Sequence, residues 1–298
     1  MTISPLNKNS YYYFLLKNLV YFLLDVIFIV PVLLIALISG FIKKKKIGIG
    51  PIPTINAKGH KLALQKYGYD AETFVDTLWY FTSEFDIKPP QILSNTFMRL
   101  FSSYVLFLRI VFRYKIIYHY FNGIVFRNNI LLHILEPYIF KIANIKSVLL
   151  SYGMDVQDLK HTDDLLYKSQ YIKDYPDFRF YRDRTNTSVK NWINNADFIL
   201  CGCDWVKYSY YWDKLLLSHF AIADSNTYKK RNKSKKFTKN NPMQIGHAPN
   251  HQHIKGTNFI KKVIENLKKQ NLNINLNIYI GIHNNDLKNK ITHNHLII

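Results

Sequence analysis

Cysteine is almost missing. The chain has 2 in 298 residues, Cys201 and Cys203, too close together to staple a fold, and it fits a reducing compartment. Acidic residues are scarce too. Asp and Glu total 20 against 40 Lys and Arg, a net charge of +20. Such an excess points to polyanionic partners: nucleic acid, an anionic bilayer surface or phosphorylated substrates. Nucleic acid has no carrier here, because no RNA-recognition motif, helix-turn-helix or zinc-finger spacing occurs. The metalloprotease pattern H-E-x-x-H and the C-x-x-C pair are also missing. No repeat with a period of roughly 20–50 residues is found. What the chain has in quantity is apolar residues, 48% of the total, enough for packed cores in two domains.

The longest apolar run is LVYFLLDVIFIVPVLLIALISGFI, from Leu19 to Ile42. About two dozen residues suffice to cross a bilayer core. Asp25 is its only charge, and Pro31 is tolerated as a kink in a membrane helix. The run exceeds the apolar core of a signal peptide and passes straight into Lys43, Lys44, Lys45 and Lys46. The positive-inside rule keeps such a block in the cytoplasm. The alternative is a helix buried in a soluble domain, since Asp25 and Pro31 both weaken the membrane case. We expect a single-pass membrane anchor over residues 1–42, with the rest of the chain facing the cytoplasm.

Beyond the lysines, KIGIG reads as a strand, GPIPTI as a loop, Ala57 to Tyr67 as an amphipathic helix closed by Gly68, and AETFV as the next strand. That order opens a parallel α/β sheet. Its Gly-containing turn can bring backbone N–H groups to a phosphate or sugar, although the full G-x-G-x-x-G spacing is lacking. Phe97 to Tyr120 begins as a helix and ends in the strand YKIIYHY. Its Arg99, Arg109, Arg113 and Lys115 either rest on an anionic membrane face or snorkel from a core helix.

Ser147 to Ser151 reads as a buried strand with Gly153-Met154-Asp155 as its carboxyl-end turn, the position where open α/β sheets bind ligands. Asp155 is either functional there or a solvated turn residue. Asp158 to Lys190 reads as a polar connection, helical in places. DFILCGC is a strand that carries Cys201 and Cys203 on one face as small core residues. The basic, polar run Tyr228 to Asn241 reads as a linker between a first domain, 43–227, and a second, 242–298.

The second domain opens with the strand PMQIGHAP. It continues with a helix, Asn258 to Gln270, that shows Phe259, Ile260, Val263, Ile264 and Leu267 on one face, and with the strand LNINLNIYIGI. Between the first strand and the helix lies HAPNHQHIKGT, His247 to Thr257. A metal on His247, His251 and His253, an anion, or nothing but a capped helix start are the three readings. A strand end spreads the three imidazoles apart. An anion has more in its favour: a helix amino terminus with its dipole, Gly256 to admit a ligand to the backbone, the charge of Lys255, and Thr257 as a cap. A diphosphate fits these features.

HAPNHQHIKGTNFIKKVIENL resembles the start of the carboxyl-terminal domain of retaining GT-B glycosyltransferases of the large family-four group. KIGIGPIPTINAKGHKLALQKYGYDAETFV is similar to that family's first βαβ unit, SYGMDVQ stands where its HGSD-R-like motif falls, and NADFILCGCDWV resembles its later AD-[IV]-[IVL] strand. The resemblance implies an α/β, GT-B fold of two Rossmann-like domains, the second incomplete. It implies a nucleotide-sugar as substrate, with no cofactor and no metal. Lys255, Gly256, Thr257 and Asn250 would hold the donor diphosphate; Gly50, Asn56, Tyr152 and Asp155 would line the acceptor side. Partners would be the donor, a glycan or lipid-linked acceptor, and the membrane.

The chain departs from the family in several places, among them the basic residue that often precedes the KG lysine, which falls near Asn250 or His251. Tyr152 replaces its histidine and Gln157 its arginine. Beyond Thr257 the only carboxylates are Glu265 and Asp286, so the E-x7-E element is absent. The second domain is also short for burying both faces of a parallel sheet, which reads as a domain cut off and as a glycosyltransferase not expected to turn over as it stands. A non-catalytic, membrane-tethered binding or scaffold protein is the alternative expectation.

Overall fold

The computed structural model describes residues 8–216, apart from 81, 92–94, 96, 160–161 and 177, together with residues 242–298. The linker expected at Tyr228 to Asn241 lies outside the described residues. In chain order the elements are α1 (Lys8–Gly40), β1 (Lys46–Ile49), α2 (Asn56–Lys66), β2 (Ala71–Thr73), α3 (Ser102–Val111), β3 (Tyr114–His119), α4 (Leu131–Ile142) and β4 (Lys146–Leu150). There follow α5 (Leu165–Asp174), α6 (Phe178–Asn195), β5 (Phe198–Gly202) and β6 (Lys214–Leu216). The last elements are β7 (Met243–His247), α7 (Thr257–Lys269), β8 (Ile274–Ile278), α8 (Asn284–Ile291) and β9 (Leu296–Ile297). The chain divides into two compact units, residues 1–78, 84–157 and 183–222, and residues 79–83, 158–182 and 223–298. Residues 158–182 therefore group with the carboxyl-terminal strands and not with the sheet that precedes them.

The first unit is built on a six-stranded parallel sheet of order β2-β1-β3-β4-β5-β6. The chain moves one way from β1 to β2 and the other way for every later strand. Right-handed crossovers then put α2 on one face and α3, α4 and α6 on the other. Packing agrees. Ile47, Ile49 and Tyr118 meet Ala57 and Leu64 on the α2 face, while Ile117, Leu149 and Ile199 meet Phe107, Leu132, Phe140 and Trp192 on the other. Alternation along each strand divides the two sets, since successive side chains point to opposite faces. Cys201 is buried in β5, but Cys203 falls just beyond the strand, in a 3-10 turn, so the expected pairing of the two on one strand face does not form.

The amino-terminal helix differs from the expected span. Among the described residues it covers Lys8–Gly40, reaching eleven residues before Leu19, with Pro31 inside it. Tyr11–Gly40 is long and apolar enough to cross a membrane, its 18-residue window reaching a mean hydropathy of 2.8. One of its faces is packed against protein: Tyr21, Asp25, Val32, Ala36 and Ser39 are buried, and Val32 and Ala36 join the large core. Asp25 is the fixed point. Its carboxylate accepts the Tyr104 hydroxyl (3.0 Å), the Asn129 amide, and the N–H groups of Ile130, Leu131 and Leu132 (2.7, 2.7 and 3.2 Å). It thereby caps α4, whose own preceding residue Ile130 offers no capping side chain.

The second unit carries a three-stranded parallel sheet of order β8-β7-β9. Its core is small. Ile245, Ile264 and Ile274 are buried, with Ile260, Leu267 and Leu276 packed around them. Two members of the apolar face expected on this helix, Phe259 and Val263, are instead more than half exposed.

Candidate functional site

At the carboxyl end of the first sheet, the ends of β3 and β4 and the start of α2 enclose a small cleft. Thr54, Asn56, His60, Tyr120, Ser151, Tyr152 and Trp205 line it, and its volume of about 50 Å³ holds a water or two. This is the rim at which open α/β sheets bind ligands. The Thr54 and Tyr120 hydroxyls pair at 2.9 Å, and Tyr152 packs edge-on against Tyr120 at 4.9 Å. Burial lowers the pKa of His60 and raises that of Tyr120 to about 12, so both are neutral at physiological pH. The Ser151 hydroxyl is buried and has no protein partner among the described residues. The walls therefore offer neutral hydrogen-bonding groups and aromatic faces.

Asn56 and Tyr152 of the expected acceptor side both line this cleft. Gly50 does not. It is buried where a Cβ would stand 2.1 Å from the Phe74 carbonyl, so the glycine is required by a close approach of two backbone segments. Asp155 is buried as well, and its carboxylate accepts the N–H groups of Phe121 (3.1 Å), Tyr152 (3.0 Å) and Gly153 (2.9 Å). It ties the loop after β3 to the loop after β4. Burial pushes its pKa up to about 6 despite those three donors. Neither the solvated nor the ligand-facing role describes it; Asp155 holds the rim together. Glu136 repeats the device on α4, accepting the N–H groups of Ile124, Val125 and Phe126, with burial raising its pKa to about 7.

In the second unit the turn from β7 to α7 is held by side chains that pull its histidines three ways. His247 is buried and bonds the Thr257 hydroxyl at 3.0 Å and the Ile298 carbonyl at 3.1 Å. His251 bonds the Tyr175 hydroxyl. His253 bonds Asp174 through Nδ1 at 2.7 Å, and the same carboxylate accepts the Ile254 N–H at 2.8 Å. Burial pushes the Asp174 pKa up, but the Ile254 N–H and the His253 contacts outweigh it and the net shift is downward. Among the described residues no group of three His, Cys, Asp or Glu converges as a metal site would.

Gly256 precedes the helix in the left-handed region at φ 67°. Thr257 is the first helical residue and not its cap; its hydroxyl is spent on His247, and no side chain caps the helix. Lys255 and Asn250 are exposed. Asp174 and Tyr175 were not legible as parts of this turn, because nothing local links them to residues 76–80 positions away.

No known protein family matches the chain, and neither a curated protein nor a solved structure gives a significant match.

Proposed function

We propose that this chain is a membrane-associated glycosyltransferase that moves a sugar from a nucleotide-sugar to a lipid-linked or surface-glycan acceptor at the cytoplasmic face. The observation that carries this reading is the β7–α7 turn, where Gly256 brings the backbone round beside exposed Lys255 at an uncapped helix start. The carbonyls of Gln252 and Gly256 already take the N–H groups of Thr257, Phe259 and Ile260. A diphosphate would thus meet the helix dipole and the Lys255 ammonium rather than a row of free donors. As the donor bond breaks, negative charge grows on the diphosphate, and a fixed cation there lowers the barrier. The acceptor side is the cleft around Asn56 and Tyr152, whose aromatic and hydroxyl lining suits a sugar.

The test is calorimetric titration of the full chain in detergent with uridine, guanosine and adenosine diphosphates and their sugars. One of these series is expected to bind, and Lys255→Ala to weaken it roughly tenfold, the loss of one charge-assisted contact. Absence of binding throughout ends this reading. A second reading is favoured by the commitment of Asp155 to backbone N–H groups, which removes the rim carboxylate from chemistry. It is a non-catalytic, membrane-tethered binding protein, and the same titration followed by a turnover assay separates the two.

A further inference from the structure

Along α1 two stripes run at helical spacing on opposite sides of the helix. The inner one, Tyr21, Asp25, Val32, Ala36 and Ser39, is buried. The outer one is apolar: Leu16, Leu23, Ile27, Val30, Leu34 and Ile38 are each more than half exposed. The inner stripe is fastened along its length. Asp25 holds the start of α4 and Tyr104 of α3. Ser39 donates to the Val111 carbonyl at 2.8 Å, at the far end of α3. Gly40 lies so close to the end of α4 that a Cβ would stand 2.6 Å from the Ile142 carbonyl, and Lys44 bonds the next carbonyl, Ala143. From Asp25 to Gly40 the helix is therefore docked beside α3 and α4 over roughly 22 Å.

That docking is incompatible with crossing a bilayer. About 22 Å is most of a hydrocarbon core of roughly 30 Å. A perpendicular α1 would carry α3 and α4 to membrane depth with it, together with the polar contacts between α4 and α6. Those include Lys141 with Asn195 and the Asn191 amide on the Ile134 carbonyl, both exposed. Such groups are expensive in lipid. Laid flat, the same helix turns its outer stripe into a leaflet and keeps those contacts in water.

We infer that α1 lies in the plane of one leaflet, and that its outer stripe is a docking surface for an anionic lipid membrane. Phe28 of α1 packs on Phe101 and Tyr104, and Leu108 of α3 and Phe112 just after it are exposed apolar residues of the same unit. Lys43 and Lys45 are exposed just past the end of α1. The net charge of +20 favours an anionic leaflet and opposes a second copy of the chain as the occupant. The inference stands whether or not the chain transfers sugar.

The test places a spin label at Leu16→Cys, Ile27→Cys or Ile38→Cys, with Cys203→Ser and buried Cys201 left in place, in the full chain on phosphatidylglycerol–phosphatidylethanolamine vesicles. Depth is read from collisions with oxygen and with a nickel chelate. All three labels are expected at one shared depth of about 5–10 Å. Ile27 near the bilayer centre with Leu16 and Ile38 toward opposite surfaces would overturn the proposal in favour of a span. Labels shielded from both reagents would overturn it in favour of a protein partner. As a second reading, a membrane-impermeant maleimide is expected to reach Tyr12→Cys and Lys45→Cys from the same side of sealed vesicles; labelling from opposite sides sinks the idea.

Discussion

At the rim of the first sheet Asp155 gathers the N–H groups of Phe121, Tyr152 and Gly153, and in the second unit Asp174 gathers those of His253 and Ile254. Each carboxylate pins a loop that its strands alone leave loose. The surroundings differ. Asp155 sits in a thick, dry unit where desolvation outweighs its donors, and its pKa rises to about 6. Asp174 belongs to a unit whose core rests on three isoleucines, and there the donors win and the pKa falls. One hydrogen-bonding device thus carries opposite electrostatic signs, because the desolvation of each carboxylate, weighed against its donors, sets the balance.

Asp25 is the extreme of the thick unit. Asp25→Ala removes the acceptor of the Tyr104 hydroxyl, one of the two acceptors of the Asn129 amide, and that of the N–H groups of Ile130, Leu131 and Leu132. It is expected to cost roughly 3–5 kcal/mol in denaturant unfolding of the detergent-solubilised chain. A cost below about 1 kcal/mol would mean that α1 is not fastened there. Asp155→Ala is expected to cost roughly 2–3 kcal/mol and Asp174→Ala roughly 1–2, a difference that vanishes if core depth is irrelevant.

Acidity separates the two more sharply. Asp155, raised to about 6, contributes stability that is present below about pH 4 and lost as the pH rises through about 6. Asp174, lowered, contributes stability that is present above about pH 4 and lost as the pH falls through its folded pKa. His119 and His133, which burial holds down to about 3, oppose Asp155 within the first unit, since their stability is lost as the pH falls from about 6.5. The comparison is therefore read on variants. Between pH 4 and pH 7 the cost of Asp155→Asn should shrink, while that of Asp174→Asn should stay level there and fall only below about pH 4. Equal slopes would erase the contrast. At the bottom of the scale, Phe259→Ser on the exposed flank of α7 should change stability by less than about 0.5 kcal/mol.

Much of the first sheet is visible in the residues themselves. KIGI, KSVLL and FILCG are short apolar runs bounded by turn or charged residues, and each forms a strand within a residue or two of its expected place. The helix after KGT is likewise visible from its period, although Phe259 and Val263 show that a period does not say which part of an apolar face finds a partner. Asp25 in a membrane-like run read as a blemish, because its partners lie 79 to 107 residues away. Distance along the chain likewise hid Asp174 as the anchor of the histidine turn, 79 to 80 residues away, and the bond to Phe121, 34 residues away, that makes Asp155 a staple. Local pattern reports where a chain can fold; which acid meets which loop is decided by topology.

The Asp25 contacts also set a schedule for synthesis. α1 leaves the ribosome first, yet Asn129, its acceptor's principal side-chain partner beside Tyr104, follows 104 residues later. At about 5–20 residues per second the helix waits roughly 5–20 s for that partner, with its outer stripe bare throughout. During that interval a chaperone or the lipid surface itself is the only cover available, so the order of translation favours a chain that reaches the membrane before its first unit has closed.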